Sequence, residues 1–415
     1  MRVGQMRQAN ERQEGKLSHS GQDGPKLRIN RRGVQEGCRT LAGQKDEGAP
    51  QRPAGLIAGD GSARLWGMTS SARLGRIYAR LGLAQGESDG FSVVADAGWV
   101  FDESLIRALA TRPDTALADG DGRCVAVHLA AGRAPSAVAA FDAGAAPDLA
   151  GLTVLDAQGL AGNYNSALRK REPPVLERLT AANRVAVEKR LFQGSYKGVT
   201  DLVTKYVWPP PARVVTRWCA NAKITPNMVT FAGLLLTIAA FYLFWTGQFA
   251  AGLVAAWIMT FLDTVDGKLA RVTLTSSKIG NVFDHGIDLI HPPFWWWAWL
   301  VGAQQALGLT VPHANLLLAV VVGGYVLQRV EEGIFLGLFK VEMHAWRPFD
   351  SFFRLITARR NPNLILLTVS ALAGRPDLGF VAIAAWTAVC LIVHAVQVLQ
   401  GLAAPKGSIV SWLSR

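Results

Sequence analysis

Apolar residues are concentrated in the second half of the chain, where polar connections separate six runs. The runs cover 226–247, 249–267, 279–301, 314–338, 363–373 and 378–402. An apolar stretch of about 20 residues is long enough for a helix to cross a bilayer. The pattern therefore predicts a mostly helical fold built on a bundle of six transmembrane helices, the fifth of them short.

Basic residues in the connections predict the orientation of this bundle. Lys and Arg cluster before the first run, between the second and third, between the fourth and fifth, and in the C-terminal tail. The remaining connections carry no such excess. Because cytoplasmic loops of membrane proteins are enriched in Lys and Arg, we expect both termini on the cytoplasmic side of an integral membrane protein.

The chain divides into four parts by pattern. Residues 1–53 are polar and aperiodic, which predicts a disordered extension or a misassigned start. Residues 54–195 alternate short apolar runs with turns, which predicts a small cytoplasmic α/β domain. Residues 196–222 predict a juxtamembrane amphipathic helix that the prolines at 209–211 interrupt. Residues 223–415 form the predicted six-span domain.

Four aspartates lie near the facing ends of the second and third apolar runs. Asp263 and Asp266 share one helix face, and Asp284 and Asp288 share a face of the next helix. A short turn between antiparallel helices would bring both faces together. Carboxylates at a membrane boundary carry a large desolvation cost and so mark a functional site by default. Oxygen ligands of this kind suit a hard divalent cation such as Mg²⁺ or Mn²⁺.

Small and basic residues complete the same faces. Gly267 and Ala270 lie beside the first aspartates, Gly280 lies one turn before Asp284, and Arg271 can make charge-assisted bonds to phosphate oxygens. The whole run has the spacing D-x2-D-G-x2-A-R-x8-G-x3-D-x3-D.

That run resembles the signature of the CDP-alcohol phosphotransferase family of integral membrane enzymes. The resemblance covers roughly the C-terminal half and implies transfer of a phosphoalcohol group from a CDP-alcohol to an acceptor hydroxyl, with release of CMP. It implies two bound Mg²⁺ or Mn²⁺ ions, held by Asp263, Asp266, Asp284 and Asp288. It also implies that Asp288 takes the proton from the attacking hydroxyl.

The resemblance further implies which residues contact the substrates. The implied nucleotide and diphosphate contacts are Gly267, Ala270, Arg271, Ser277, Gly280, Asn227 and Thr230. The implied acceptor contacts are Arg329, Arg359 and Arg360, since a basic pocket near this point holds the acceptor's phosphate in related enzymes. Arg329 has a second interpretation, in which it pairs internally with Glu331 or Glu332.

The expected partners follow from this chemistry. We expect CDP-diacylglycerol as donor, a polyol or polyol phosphate as acceptor, and membrane lipid around the bundle; the family is commonly homodimeric. The net charge of +12 suits an anionic leaflet and phosphate-bearing substrates, and no aromatic-basic repeat favours nucleic acid.

The predicted α/β domain carries a second resemblance. A strand from Ala54 precedes a Gly-rich loop, Gly59 to Leu65, that resembles the phosphate-cradling loop of sugar-phosphate nucleotidyltransferases. Asp96 then stands at that family's metal position, and Arg73 or Arg76 stands near its usual lysine. We favour a degenerate scaffold or regulatory domain over an active nucleotidyltransferase.

Three alternatives remain open on the sequence. One is a bifunctional enzyme that makes and uses a soluble CDP-alcohol such as CDP-inositol. The second is an aspartate-lined cation transporter, which would have no need of Gly267 or Arg271. The third is an inactive membrane anchor for the N-terminal domain, against which the complete signature argues.

Overall fold

The computed structural model describes residues 53–86, 90–165, 168–405 and 407–414. The predicted extension over 1–53 therefore lies outside the described residues, apart from Pro53. Residues 51–415 belong to one compact unit.

The first part of that unit is an α/β layer, which over the described residues has eleven strands and five helices. The strands are β1 (Ala54–Ala58), β2 (Arg64–Leu65), β3 (Met68–Thr69), β4 (Phe91–Asp96), β5 (Trp99–Phe101), β6 (Thr115–Ala118), β7 (Cys124–Ala130), β8 (Thr153–Leu155), β9 (Tyr164–Asn165), β10 (Lys170–Arg171) and β11 (Leu176–Arg178). The helices are α1 (Ser70–Leu81), α2 (Glu103–Ala110), α3 (Ala134–Asp142), α4 (Ala157–Ala161) and α5 (Arg184–Gly194).

Five strands form one mixed sheet in the order β1-β4-β7-β6-β8. Strand β1 is parallel to β4 and β6 to β8, whereas β7 runs antiparallel to both of its neighbours. The strand predicted from Ala54 is present as β1, and the remaining strands of the sheet lie among helices of the same layer. They form because their apolar residues are buried between the sheet and its helices.

The second part is a bundle of long helices. They are α6 (Pro209–Asn221), α7 (Pro226–Trp245), α8 (Phe249–Val272), α9 (Lys278–Val301), α10 (Ala314–Phe339), α11 (Pro348–Phe353), α12 (Arg360–Leu372) and α13 (Pro376–Ala403). Helix α7 packs against α8 and α9, and α10 packs against α13.

Four of these helices, α7, α8, α10 and α13, are long and apolar enough to cross a membrane. Helix α7 shows why, because its outward face is an uninterrupted apolar stripe. The exposed residues of that stripe are Met228, Phe231, Leu235, Ile238 and Tyr242. An exposed apolar stripe of this length is stable in lipid and not in water. The protein is accordingly an integral membrane protein.

The predicted count of six spans is met only in part. Helices occupy all six predicted places, but among the described residues only four satisfy the length and composition of a span. Helix α12 has 13 residues, too few to cross a bilayer alone. The six-span count and the cytoplasmic orientation remain predictions.

The tryptophans of α9 do not lie where their local sequence suggests. Closely spaced tryptophans at the end of an apolar run are typical of an interfacial belt, but Trp295, Trp296 and Trp299 are fully buried and, of the four, only Trp297 is substantially exposed. Their rings fill the space between α7, α8 and α9. The indole N–H groups of Trp295 and Trp299 donate to buried carbonyl oxygens, so these rings are buried without an unsatisfied donor.

The juxtamembrane segment is helical on both sides of a break, as predicted. A π-helical turn over Val203–Val207 ends before Trp208, and the prolines at 209–211 then form the first turn of α6, where proline is well tolerated because no intrahelical N–H bond is lost. The helix is amphipathic as predicted. Ala212 and Thr216 are buried, whereas Val214 and Trp218 are more than half exposed.

One hydrophobic core joins the two parts of the unit. Leu65, Trp66 and other residues of the α/β layer pack in the same cluster as residues of α6 and α8, Val265 and Leu269 among them. The α/β layer is therefore packed against the helix that carries the aspartate signature.

Candidate active site

The predicted aspartates lie at the facing ends of α8 and α9, joined by a short turn over 273–277. One carboxylate oxygen from each of Asp263, Asp284 and Asp288 lies within 4.8 Å of the other two. The predicted convergence of these three side chains is therefore present in the structure. It arises because residues three or four apart on a helix share one face and the turn is short.

Asp266 stands beside this group and has a different environment. Its Oδ2 accepts a hydrogen bond of 2.6 Å from Thr230 Oγ1, and its Oδ1 is buried without a donor. Thr230, predicted as a nucleotide contact, thus orients a carboxylate. A buried carboxylate oxygen with no donor is costly unless a ligand satisfies it.

A single arginine links the two helices. Arg360, the first residue of α12, donates to Asp263 Oδ2 and to Asp288 Oδ1, each at 2.5 Å. Arg360, predicted as an acceptor contact, therefore neutralises part of the carboxylate cluster in this structure.

The donor set fits divalent cations of the Mg²⁺ or Mn²⁺ kind. Every candidate ligand atom is a carboxylate oxygen, three of the residues converge, and the fourth keeps a free buried oxygen. Asp263, Asp284 and Asp288 could hold one ion, with Asp266 available to a second.

The start of α7 lies against the start of α9. Ser277 is the N-cap of α9, and its Oγ accepts a bond of 3.0 Å from the amide of Gly280. A Cβ on Gly280 would come within 2.9 Å of Asn227 Oδ1. Gly280 therefore permits the close approach of Asn227. The nucleotide contacts predicted for Ser277, Gly280 and Asn227 remain predictions.

The signature arginine is held by the α/β layer. Arg271 Nη1 donates to the carbonyl oxygen of Ser195, just after α5, at 3.3 Å, and Lys268 Nζ donates to the same oxygen at 3.4 Å. Lys268 also lies 3.6 Å from the centre of the Tyr196 ring. No sequence pattern marks Lys268 as a site residue, since only the fold brings Ser195 and Tyr196 to it.

Two cavities meet at the carboxylates. The first has a volume of about 400 Å³ and contains Asp263, Asp284 and Asp288 together with an excess of basic residues. The second, of about 710 Å³, lies between α8, α9 and the α/β layer. Gly267, Arg271, Asp284 and Lys197 line both cavities.

Basic residues from five separate segments line the first cavity. They are Arg169, Lys197, Lys268, Arg271, Arg329, Arg354, Arg359 and Arg360. The structure thus brings the three predicted acceptor residues together. It adds Arg169 and Lys197, which no pattern marked because they lie outside the signature. Burial, together with Arg169 and Arg271, lowers the pKa of Lys197.

A half-buried glutamate pairs with two of these arginines. Glu332 pairs with Arg359 and, at 3.3 Å, with Arg329, so the predicted internal pairing of Arg329 is present. His344 Nε2 lies 3.3 Å from Glu332 Oε1. Glu332, His344 and His394 have the chemistry of metal ligands, but two arginines already neutralise the single carboxylate.

The arginines of α1 serve the junction between the two parts. Arg73 Nη1 donates to the carbonyl of Val272 at 2.7 Å, and Arg76 Nη1 donates to that of Thr273 at 2.6 Å. The side-chain hydrogen bonds of both arginines go to the end of α8, and their correspondence to the lysine of sugar-phosphate nucleotidyltransferases stays a prediction. They bind the last carbonyl groups of α8, where cations are favoured by the helix dipole.

Replacing Arg73 with alanine is expected to destabilise the protein by about 1.5–3 kcal/mol, the range for a lost hydrogen bond to a charged group. Thermal unfolding in detergent measures the effect. Arg112→Ala is the matched control, because Arg112 is exposed on the same layer. Equal unfolding temperatures for both variants would show that the junction bond contributes nothing.

A backbone amide of the Gly-rich loop is already hydrogen-bonded to a side chain of the α/β layer. The amide of Gly59 donates to Asp142 Oδ1 at 2.7 Å, and Asp96 Oδ1 accepts from the amide of Gly98 at 2.8 Å. The Asp142 carboxylate therefore already accepts the hydrogen bond of a loop amide, that of Gly59, which would otherwise be available to a phosphate. Burial raises the pKa of Asp96.

Comparison with known proteins bears on the helical part. Residues 223–351 match the CDP-alcohol phosphatidyltransferase family. The resemblance drawn from the aspartate signature is thereby confirmed over that region. The resemblance of the N-terminal half to nucleotidyltransferases stays a prediction.

Two curated relatives illustrate the match. Cholinephosphotransferase 1 of Xenopus laevis is 29% identical over 147 residues, covering 32% of this chain and 34% of its own. Archaetidylinositol phosphate synthase of Pyrococcus horikoshii is 40% identical over 79 residues, covering 19% of this chain and 42% of its own. The chain thus spans between a third and a half of the relatives' length.

A solved structure is also similar. Phosphatidylinositol phosphate synthase of Mycobacterium tuberculosis, crystallised with CDP-DAG bound, is 17% identical and covers 45% of this chain and 92% of its own, with a TM-score of 0.37. A score below 0.5 does not by itself establish a shared fold.

Proposed function

We propose that the protein is a membrane transferase that moves a phosphoalcohol group from a CDP-alcohol to an acceptor hydroxyl and releases CMP. The observation that carries this proposal is the convergence of Asp263, Asp284 and Asp288 at the meeting point of two cavities. The family match over 223–351 supports the same reaction.

The residues can divide the work as follows. Asp263, Asp266, Asp284 and Asp288 would hold Mg²⁺ or Mn²⁺, which neutralises diphosphate charge when bound. Asp288 accepts the proton of the attacking hydroxyl. The new bond joins the acceptor oxygen to the β-phosphorus, and the electron pair of the broken bond leaves with CMP. Arg271 binds phosphate oxygens at the junction of the cavities.

The charge of the first cavity favours an anionic acceptor such as a polyol phosphate. Eight basic side chains line it against the three signature aspartates and Asp201. A guanidinium binds phosphate oxygens in two parallel bonds and repels a cationic alcohol. The acceptor would therefore be closer to the inositol phosphate implied by the name of the Pyrococcus relative than to choline.

A lipid partner is supported by an apolar groove. It has a volume of about 620 Å³ and lies between α7 and α9. Its lining includes Ile238, Phe241, Ile290 and Phe294, which are apolar and reach the outer surface of the bundle. If the acceptor is anionic and soluble, the lipid in this groove must be part of the donor, and CDP-diacylglycerol is therefore the proposed donor.

We place the reaction on the cytoplasmic side.

The alternatives from the sequence fit less well. A cation transporter would not collect eight basic residues around its carboxylates. A bifunctional enzyme would need free loop amides in the α/β layer, and Asp142 already binds that of Gly59. Homodimer formation remains a prediction.

Purified protein in detergent is expected to release CMP only with Mg²⁺ or Mn²⁺ present. CDP-diacylglycerol and CDP-inositol are each tested against inositol, inositol phosphate, glycerol phosphate and diacylglycerol. We expect CDP-diacylglycerol with a polyol phosphate to be the productive pair. Chelation by EDTA should stop release and added Mg²⁺ restore it.

Other results would change the proposal in defined ways. Productive use of CDP-inositol with diacylglycerol would reverse the donor and acceptor. CMP release that persists in EDTA would remove the metal ions from the mechanism. Folded protein that releases no CMP from any pair would contradict the proposed function.

A further inference from the structure

The second cavity is built from both parts of the protein. On the bundle side its lining includes Gly267, Ala270 and Arg271, and on the α/β side it includes Ser104 and Tyr164. Its volume of about 710 Å³ lies within the range of small-molecule sites. The α/β layer therefore supplies a wall of a cavity that opens directly onto the carboxylates.

The two walls are held in a fixed relation. The shared hydrophobic core joins the α/β layer to α8, and Arg73 and Arg76 bind the end of that helix. The carbonyl of Ser195 receives bonds from both Lys268 and Arg271. Such contacts make the α/β side a permanent part of the cavity.

The two cavities differ in charge. In the second cavity, Arg80 and Arg107 both pair with Glu103, and Lys170 pairs with Glu172. Most of its charges are thus neutralised locally, whereas the first cavity has an excess of cations. A neutral aromatic ring with polar edges fits the second cavity better, and a phosphate fits the first.

We propose that the α/β layer binds the cytidine of the donor, with Tyr164 stacking on the base. The inference rests on the proposed function, because it assumes a CDP-alcohol whose diphosphate lies at the aspartates. Arg271 stands where the cavities meet and so lies between nucleoside and acceptor. The α/β layer is then a specificity element for the nucleotide, with no nucleotidyl transfer of its own required.

Two substitutions on the α/β wall test this. Tyr164→Ala removes the stacking ring and is expected to raise the KM for the CDP donor by roughly tenfold, within the usual range for a lost base–aromatic stack. Ser104→Trp fills the cavity from the same side and should act in the same direction. In both variants the KM for the acceptor should stay unchanged, and the affinity for CMP alone, measured by calorimetry, should fall in parallel.

Tyr206→Ala is the matched control, because Tyr206 is 61% exposed and lines neither cavity. Thermal unfolding of each variant establishes that it is folded. Donor KM and CMP affinity within twofold of wild type in folded Tyr164→Ala and Ser104→Trp would overturn the inference and leave the proposed function intact. A wild-type protein that neither releases nor binds CMP would overturn both.

Discussion

Asp288→Asn is expected to lower the rate of CMP release by about 10²- to 10⁴-fold, the usual contribution of a positioned general base. Asparagine keeps the size of the side chain and an oxygen for Arg360 to bind, but it cannot accept the proton of the attacking hydroxyl. The loss should therefore appear in kcat, with the KM of the donor nearly unchanged. Initial rates of CMP release at saturating Mg²⁺ measure it.

The control for this substitution is Asp148→Asn. The Asp148 side chain is 72% exposed and belongs to the α/β layer, so its replacement should leave the rate unchanged. Thermal unfolding of Asp288→Asn separates loss of function from loss of fold. A folded variant that retains more than a tenth of wild-type kcat would show that another group takes the proton.

The aspartate cluster could be predicted from sequence because its geometry is local. Asp263 lies on α8, Asp284 and Asp288 lie one turn apart on α9, and the connection over 273–277 is too short to separate the helices. Helical periodicity and one tight turn fix such a cluster without knowledge of the rest of the chain. The strand from Ala54, present as β1, could also be predicted because a short apolar run before a Gly-rich loop is a local pattern.

The surroundings of the cluster could not be predicted in this way. Lys268 binds Ser195 and Arg73 binds Val272, contacts that span 73 and 199 positions of the chain. No periodicity carries information over such separations. The burial of the α9 tryptophans could not be predicted for a related reason. An interfacial ring and a buried ring have the same local sequence, and only packing against α7 and α8 distinguishes them.

The contacts of the α/β layer lead to a different interpretation of that domain from the one its sequence suggests. From sequence it resembles a degenerate scaffold or regulatory domain, with Arg73 or Arg76 near the position of a nucleotidyltransferase lysine. In the structure Arg73 and Arg76 bind the end of α8, and the layer lines a cavity that reaches Asp284. The layer therefore supports the helix of the aspartate signature, whether or not it carries a reaction of its own.

Arg360→Gln is expected to make the protein depend on divalent ions for its stability. Arg360 donates to Asp263 and Asp288, and its removal leaves two partly buried carboxylates without their counter-ion, at a cost below the roughly 3–5 kcal/mol of a fully buried pair. Without added metal, the variant should therefore unfold at a lower temperature than wild type. Bound Mg²⁺ neutralises the same oxygens, so it should raise the unfolding temperature more in the variant than in wild type.

A larger rise of the unfolding temperature on adding Mg²⁺ in the variant than in wild type would show that Arg360 and the ions bind the same carboxylates. Arg375→Gln is the matched control, since Arg375 also makes two bonds to a carboxylate but lies at the exposed start of α13. Its replacement should leave the effect of Mg²⁺ unchanged. If Mg²⁺ stabilises Arg360→Gln no more than wild type, the ions do not bind at Asp263 and Asp288. If it does, Arg360 is released when the ions bind, and its guanidinium becomes free for the acceptor's phosphate in the same cavity.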